Sequence, residues 1–231
     1  ALPIYPYDDP AVIAGQGTVA KELLEQCADL DAVFVPVGGG GLLAGVAAYL
    51  KALKPSIKVI AVEPEDSNCF AAAMAAGRRV TLPQVGLFAD GVAVRQIGEE
   101  NFRVARHLVD DTVLVSVDEI CAATQDCFYE NRSLPEPAGA LALAGLKRWV
   151  QDQGASGQTL AAIVSGANVN FDRLRHIAAF DGHPLDLTPK EFQLLEYFLL
   201  HPEEVVRRTT LLEKVWDMHF DPESNVVDVH V

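Results

Sequence analysis

Four consecutive glycines, Gly38, Gly39, Gly40 and Gly41, separate two apolar runs. Asp31-Ala-Val-Phe-Val-Pro-Val37 precedes them, Leu42 to Leu50 follows, and Lys58-Val-Ile-Ala-Val-Glu63 comes next. The order reads as strand, glycine turn, helix, strand. Residues without a Cβ let the backbone turn tightly and bring its N–H groups against a ligand. The helix that follows aims the positive end of its dipole at the same point. The chemistry this combination suits is anion binding, with a phosphate group as the expected ligand. A turn with no ligand is the plainer reading, and the backbone entropy that four glycines lose on folding argues against it.

Two rival readings of the segment have to be weighed. Ala32 to Leu50 carries no charge and approaches the length of a membrane span. That reading fails, because each interior glycine costs a helix about 1 kcal/mol and Pro36 costs more. The β-branched run before the glycines fits a buried parallel strand instead. The second rival is dinucleotide binding. Gly39-x-Gly41-x-x-Ala44 fits the loose fingerprint, and Glu63 ends the next strand where a ribose-binding acid would stand. The glycines alone do not decide between these ligands.

The elements that would position such a site follow from the rest of the chain. The 231 residues are 50% hydrophobic, enough for one substantial core or two small ones. A net charge of −14 suits a soluble, self-repelling cytoplasmic protein and argues against a nucleic-acid surface over most of the molecule. Cys27, Cys69, Cys121 and Cys127 form no C-x-x-C pair and are expected to be reduced core residues. No signal peptide is expected before the first strand. Ala11 to Cys27 reads as a helix entered through Gly15-Gln-Gly17, with Thr18 as its cap. Further helices are expected at 68–76, ended by Gly77, at 98–109, from Asp118 to about Glu130, and from Glu136 through Val150. Strands are expected at 112–117 and 160–165. Strands alternating with helices predict an α/β fold with a doubly wound parallel sheet.

After about Ala179 the pattern changes. Phe180 to Leu187 reads as a hairpin with Asp181-Gly182 at its turn. Thr188-Pro-Lys-Glu191 forms a capping box before a helix whose apolar face is Phe192, Leu195, Phe198 and Leu199. A short helix at 211–216 and another starting at Asn225 complete the chain. The expected domains are 1–179 and 180–231.

Three more motifs carry a resemblance. Gly86-Leu-Phe-Ala-Asp-Gly-Val-Ala-Val94 is a glycine-punctuated loop, Glu136-Pro-Ala-Gly-Ala-Leu-Ala-Leu-Ala-Gly145 opens a helix, and Ser165-Gly-Ala-Asn168 ends a strand. With Ile13-Ala-Gly-Gln-Gly-Thr18 and Gly166 to Phe171, residues 1 to about 178 resemble the fold-type II pyridoxal-phosphate enzymes. The resemblance is closest to the catalytic domain of biosynthetic threonine ammonia-lyase (threonine dehydratase), and it displaces the dinucleotide reading. It implies pyridoxal 5'-phosphate as cofactor and an amino acid as substrate. Threonine would be deaminated to 2-oxobutanoate and ammonia, in isoleucine biosynthesis. It also implies roles: Gly38, Gly39, Gly40, Gly41 and the Leu42 amide for the phosphate, Ser165 for the pyridine nitrogen, and Gly91 for the ring edge. Glu136 would face the pocket or cap its own helix. No metal site is expected, because Cys69 stands where related racemases place the third ligand after a glutamate and a backbone carbonyl. A second copy of the chain is an expected partner, and a membrane is not.

The family's Schiff-base lysine belongs to a segment preceding the first motif matched here. None of Lys21, Lys51, Lys54, Lys58 and Lys147 lies in its serine-x-lysine context. The expectation is a catalytic domain without its N-terminal part, and therefore an inactive one.

Residues 180–231 resemble a different family. Leu185 to Leu195, Leu211-Leu-Glu-Lys-Val-Trp216 and Ser224 to Val231 are similar to the winged-helix DNA-binding domain of OmpR-type response regulators. The resemblance implies Asn225, Asp228 and His230 as DNA-contacting residues on a third helix whose basic end would lie beyond Val231. Lys190, Arg207, Arg208 and Lys214 face eleven acids between 181 and 231, a local charge of −7. DNA is therefore expected as a partner only if the winged helix is completed. Thr210 with Glu213 would cap the second helix. The whole reads as a junction of two truncated modules, with a ligand-sensing transcription regulator as the alternative to the lyase.

Overall fold

A computed structural model of the chain describes residues 7–169, 179–180, 183–184, 191, 194–195, 197–198, 201 and 206–216. The chain divides into two compact units, Ala1–Val169 and Asn170–Val231.

The first unit is built on four parallel strands: β1 (Ala32–Pro36), β2 (Lys58–Pro64), β3 (Asp111–Val115) and β4 (Leu160–Ala162), in the order β3-β2-β1-β4. Every residue of β1 is buried, and so is all of β2 after Lys58. Central strands covered on both faces are apolar along most of their length, which is why they read as near-continuous hydrophobic runs, with Glu63 the buried exception at the end of β2. In-register pairing of Val33 with Val59 and Phe34 with Ile60 sorts the side chains into two cores. Val33, Val35, Val59 and Ala61 pack toward α2 (Gly41–Leu53) and α3 (Cys69–Ala76). Phe34, Ile60 and Val62 pack toward α5 (Val117–Asn131) and α6 (Pro137–Gln153). The sheet is doubly wound.

The helix termini show where local signals were read correctly and where they were not. α1 (Pro10–Gln26) starts one turn before the glycines. Asp9 caps it, its Oδ1 accepting from the Ala11 amide at 2.8 Å, with Pro10 in the first turn. Thr18 is therefore not a cap: its hydroxyl donates to Gly15 O within the helix. Gly15-Gln-Gly17 lies inside α1, and Gly17 serves a helix crossing. A Cβ there would stand 3.3 Å from Gly45 O, and a Cβ on Gly45 would run into Ile13 O. α3 ends at Gly77 with φ 66°, as expected. α4 (Glu99–Ala105) is shorter than the span 98–109. α5 begins not at Asp118 but behind Ser116, which forms a reciprocal capping box with Glu119. All four cysteines are free; Cys69 and Cys127 are buried, Cys27 and Cys121 half-buried.

In the second unit, β5 (Ala179–Phe180) and β6 (His183–Pro184) pair antiparallel, Phe180 opposite His183, as a hairpin with a two-residue connection requires. Leu194 packs with Leu211, Leu212 and Val215 of α7 (Arg208–Trp216), joined by Tyr197 and Val206. Among the described residues of the segment before α7, Leu194 and Tyr197 are the ones packed into this cluster. Phe198 is 39% exposed and Leu195 half-buried, against the expected face. Thr210 lies inside α7, which starts before it, so it is not that helix's cap. Phe192, Leu199, the Thr188 capping box and the helix expected from Asn225 lie outside the described residues. No described helix is long and apolar enough to cross a membrane.

Candidate functional site

The glycines follow the carboxyl end of β1, the edge where open parallel sheets bind ligands. Gly40 takes φ 94°, a left-handed angle that a side chain rarely adopts, and turns the chain into α2. The first amide to bond within α2 is that of Ala44, donating to Gly40 O at 2.9 Å. The amides of Gly41, Leu42 and Leu43 precede it and are the ones helix geometry leaves open for a ligand.

Protein packs tightly against the Cβ side of all four glycines. A Cβ on Gly38 would stand 3.0 Å from Val92 Cα, and one on Gly40 2.9 Å from Ile97. One on Gly39 would overlap the Tyr7 ring, and one on Gly41 would approach Tyr7 O at 2.8 Å. The loop is thus clamped on that side, and its fit to an anion rests on the amides rather than on an empty space beside each Cα.

Side chains hold the carbonyls of the loop. The Cys69 thiol lies 3.5 Å from Gly38 O and donates to it. Asn101 Nδ2 donates to Gly39 O at 2.8 Å and to Tyr7 O at 2.6 Å. Glu63, wholly buried at the end of β2, accepts from the Phe70 and Ala71 amides at 2.8 Å, one carboxylate oxygen each. It caps α3 and is not available to a ribose. Burial raises Glu63 to about 7, the two amides opposing the rise. Burial, reinforced by the Glu63 charge, pushes the Cys69 thiol up to about 12, so it stays protonated and able to donate. Among the described residues no cluster of side chains has the composition of a metal site.

The remaining candidates converge on the same edge. Gly91 sits in a short 3₁₀ turn at Asp90–Val92, which Ser67 Oγ fixes by donating to Val92 O at 3.1 Å. A Cβ on Gly91 would meet the Ala138 methyl at 2.9 Å and Glu136 Oε1 at 3.7 Å. Glu136 precedes Pro137 at the start of α6, and its carboxylate makes no capping bond. It lies instead against Gly166, whose carbonyl accepts from the Glu136 amide at 3.1 Å. Ser165, just past β4 and next to Gly166, is exposed. Asn225, Asp228 and His230 lie outside the described residues. Sequence reasoning missed Tyr7, Asn101 and the role of the Ser67 hydroxyl. Asn101 alone carried a signal, a lone amide on the buried face of α4 beside Phe102.

No described lysine approaches the glycines. Lys21 pairs with Glu25, Lys51 with Asp110, Lys147 with Asp126 and Lys214 with Glu213. Lys54 donates to Ala28 O, and Lys58 lies over the Trp149 ring.

Comparison with known proteins gives two family matches. The family described as pyridoxal-phosphate dependent enzyme matches residues 1–166. The family described as transcriptional regulatory protein, C terminal, matches residues 182–231. The biosynthetic L-threonine dehydratase of Escherichia coli is 58% identical over 173 residues, which is 75% of this chain and 34% of that protein. The chloroplastic biosynthetic threonine dehydratase of Arabidopsis thaliana is 55% identical over 173 residues, 74% of this chain and 29% of the relative. The chain thus spans about a third of the length of the curated relatives it matches. Among solved structures, the processed threonine deaminase isoform 2 of Solanum lycopersicum superimposes with TM-score 0.76 at 43% identity, covering 78% of this chain and 52% of that one. Maize serine racemase superimposes with TM-score 0.68 at 38% identity, covering 72% and 52%.

Proposed function

This chain belongs to the pyridoxal-phosphate dependent enzymes, and we propose that its first unit is the cofactor-binding part of a cytoplasmic threonine dehydratase-type lyase of isoleucine biosynthesis. The observation that carries this reading is the set of open amides behind Gly40 at the carboxyl end of β1. The backbone from Gly38 to Gly41, with the Leu42 amide, would hold the phosphate, Gly91 and Glu136 would border the ring, and the Ser165 hydroxyl would meet its nitrogen. The bound cofactor supplies an electron sink for bonds at the α-carbon of an amino acid. The chain's own residues bind and orient it. The thiol of Cys69 and the amide of Asn101 hold the loop, Ser67 holds the Gly91 turn, and the Glu136–Gly166 contact fixes the Ser165 segment.

Every described lysine is engaged elsewhere, so the 231-residue chain is expected to bind pyridoxal 5'-phosphate reversibly. Titration should show binding that inorganic phosphate displaces, no cofactor retained after borohydride reduction, and no ammonia released from threonine. Ammonia above a buffer blank, or cofactor fixed by borohydride, would overturn the inactive, non-covalent reading.

The match of residues 182–231 favours a second reading, a DNA-binding regulator whose first unit senses a ligand. Charge argues against it for this chain. With −7 over residues 181–231, too few phosphates are neutralised to hold a duplex at physiological salt. Gel retardation should show no complex, and a tight, salt-sensitive shift would promote the regulator to first place. We favour a junction of two modules in which only the first retains its ligand.

A further inference from the structure

We infer that Asn101 is a positioning residue for the phosphate-binding glycines, acting by pinning the carbonyl of Gly39; the inference rests on the cofactor reading above. In a planar trans peptide the carbonyl oxygen and the next residue's N–H point in opposite directions. Fixing Gly39 O therefore fixes where the Gly40 N–H points. Two donors converge on Gly39 O: Asn101 Nδ2 at 2.8 Å and the Gly98 amide at 3.1 Å. Cys69 does the same for Gly38 O and hence for the Gly39 N–H.

Asn101 is itself held. Its amide donates to Asp8 Oδ1 at 3.2 Å, the Glu99 amide donates to Asp8 Oδ2 at 2.8 Å, and its second Nδ2 bond reaches Tyr7 O. The Tyr7-Asp8 segment, α4 and the glycine loop form one hydrogen-bonded clasp. Stability does not account for the residue. Asn101 is wholly buried, and its Oδ1 has no partner among the described residues, an omission that costs free energy which an apolar side chain would avoid. What an apolar side chain lacks is the pair of donors.

The test compares the 231-residue chain with Asn101→Asp, which keeps the shape and replaces the donors by an oxygen. Asn101→Ser removes both Nδ2 bonds without adding charge and serves if the aspartate variant does not fold. Thr124→Ala is the control, losing a buried bond to Ile120 O on α5, outside the clasp. Pyridoxal 5'-phosphate affinity is read by titration, and loop order by amide hydrogen exchange over residues 38–43. The Asn101 variants should bind about tenfold more weakly and exchange faster over the loop, while Thr124→Ala keeps wild-type affinity despite its lower stability. A folded Asn101 variant with wild-type affinity, or with unchanged exchange over the loop, overturns the inference. Failure of the unaltered chain to bind the cofactor would count against the cofactor reading instead, and the exchange comparison would still decide the role of Asn101.

Discussion

Gly40→Val is expected to abolish phosphate binding and to destabilise the first unit by about 2–5 kcal/mol. Two costs add. A side chain at φ 94° meets the steric penalty of left-handed backbone, about 1–2 kcal/mol before β-branching is counted. Overpacking adds about 1–3 kcal/mol, because the new Cβ would stand 2.9 Å from Ile97 and 3.1 Å from Asn101 Cβ. Either form of relief rotates the peptide that presents the amides ahead of α2. Binding is thus lost through the loop's orientation, not through a side chain occupying the anion's place. Urea unfolding followed by Trp149 fluorescence measures the first effect, and calorimetric titration with pyridoxal 5'-phosphate the second. Gly40→Ala should show a smaller version of both. Wild-type affinity in a folded valine variant would move the phosphate site away from this turn.

The second large effect depends on pH. Glu63 has a folded value of about 7 against an ordinary value of 4.5, because burial penalises its charge more than the Phe70 and Ala71 amides stabilise it. Between those values the folded state keeps a proton that the unfolded chain has released. The associated stability is fully present below about 4.5 and is lost as pH rises through about 7. At 1.36 kcal/mol per pKa unit the loss amounts to about 3 kcal/mol. The Cys69 thiol beside it, at about 12, does not titrate in this window. Other carboxylates contribute their own slopes in a chain of net charge −14, so the useful quantity is a difference. Denaturation midpoints of the unaltered chain and of Glu63→Gln, taken from pH 4.5 to 8, should diverge in slope, the unaltered chain losing more as pH rises. Parallel profiles would show that the two amides hold Glu63 ionised throughout.

The βαβ unit at 32–64 was legible because its signals are local. Apolar runs long enough for a strand, glycines at the turn and a largely apolar helix all lie within a few residues of one another. The hairpin at Phe180 and His183 was legible for the same reason, as was the Gly77 stop of α3. Termini were read less well where two caps competed. Thr18 and Asp9 are both good caps, and the structure uses Asp9, which keeps Gly17 inside α1 where it lets that helix approach α2 at Gly45.

The sequence by itself determined the order of strands and helices, the two-sided burial of β1 and the place of the glycine turn at the end of that strand. Only the tertiary structure decided which side chains hold that turn. Asp8 and Asn101 are joined across more than ninety positions, and Asn101 reaches Gly39 from an equally unrelated part of the chain. Glu63 was open to a ribose on the loose dinucleotide fingerprint until the packing of α3 aimed two amides at it. Glu136 could be read as a cap of its own helix until its carboxylate was found beside Gly166, making no capping bond. Propensity and periodicity act over a few residues, because they report the sterics and hydrogen bonding of neighbouring peptides. A hydrogen bond between distant residues depends on which surfaces the packed sheet brings together, and that is settled only when both cores close.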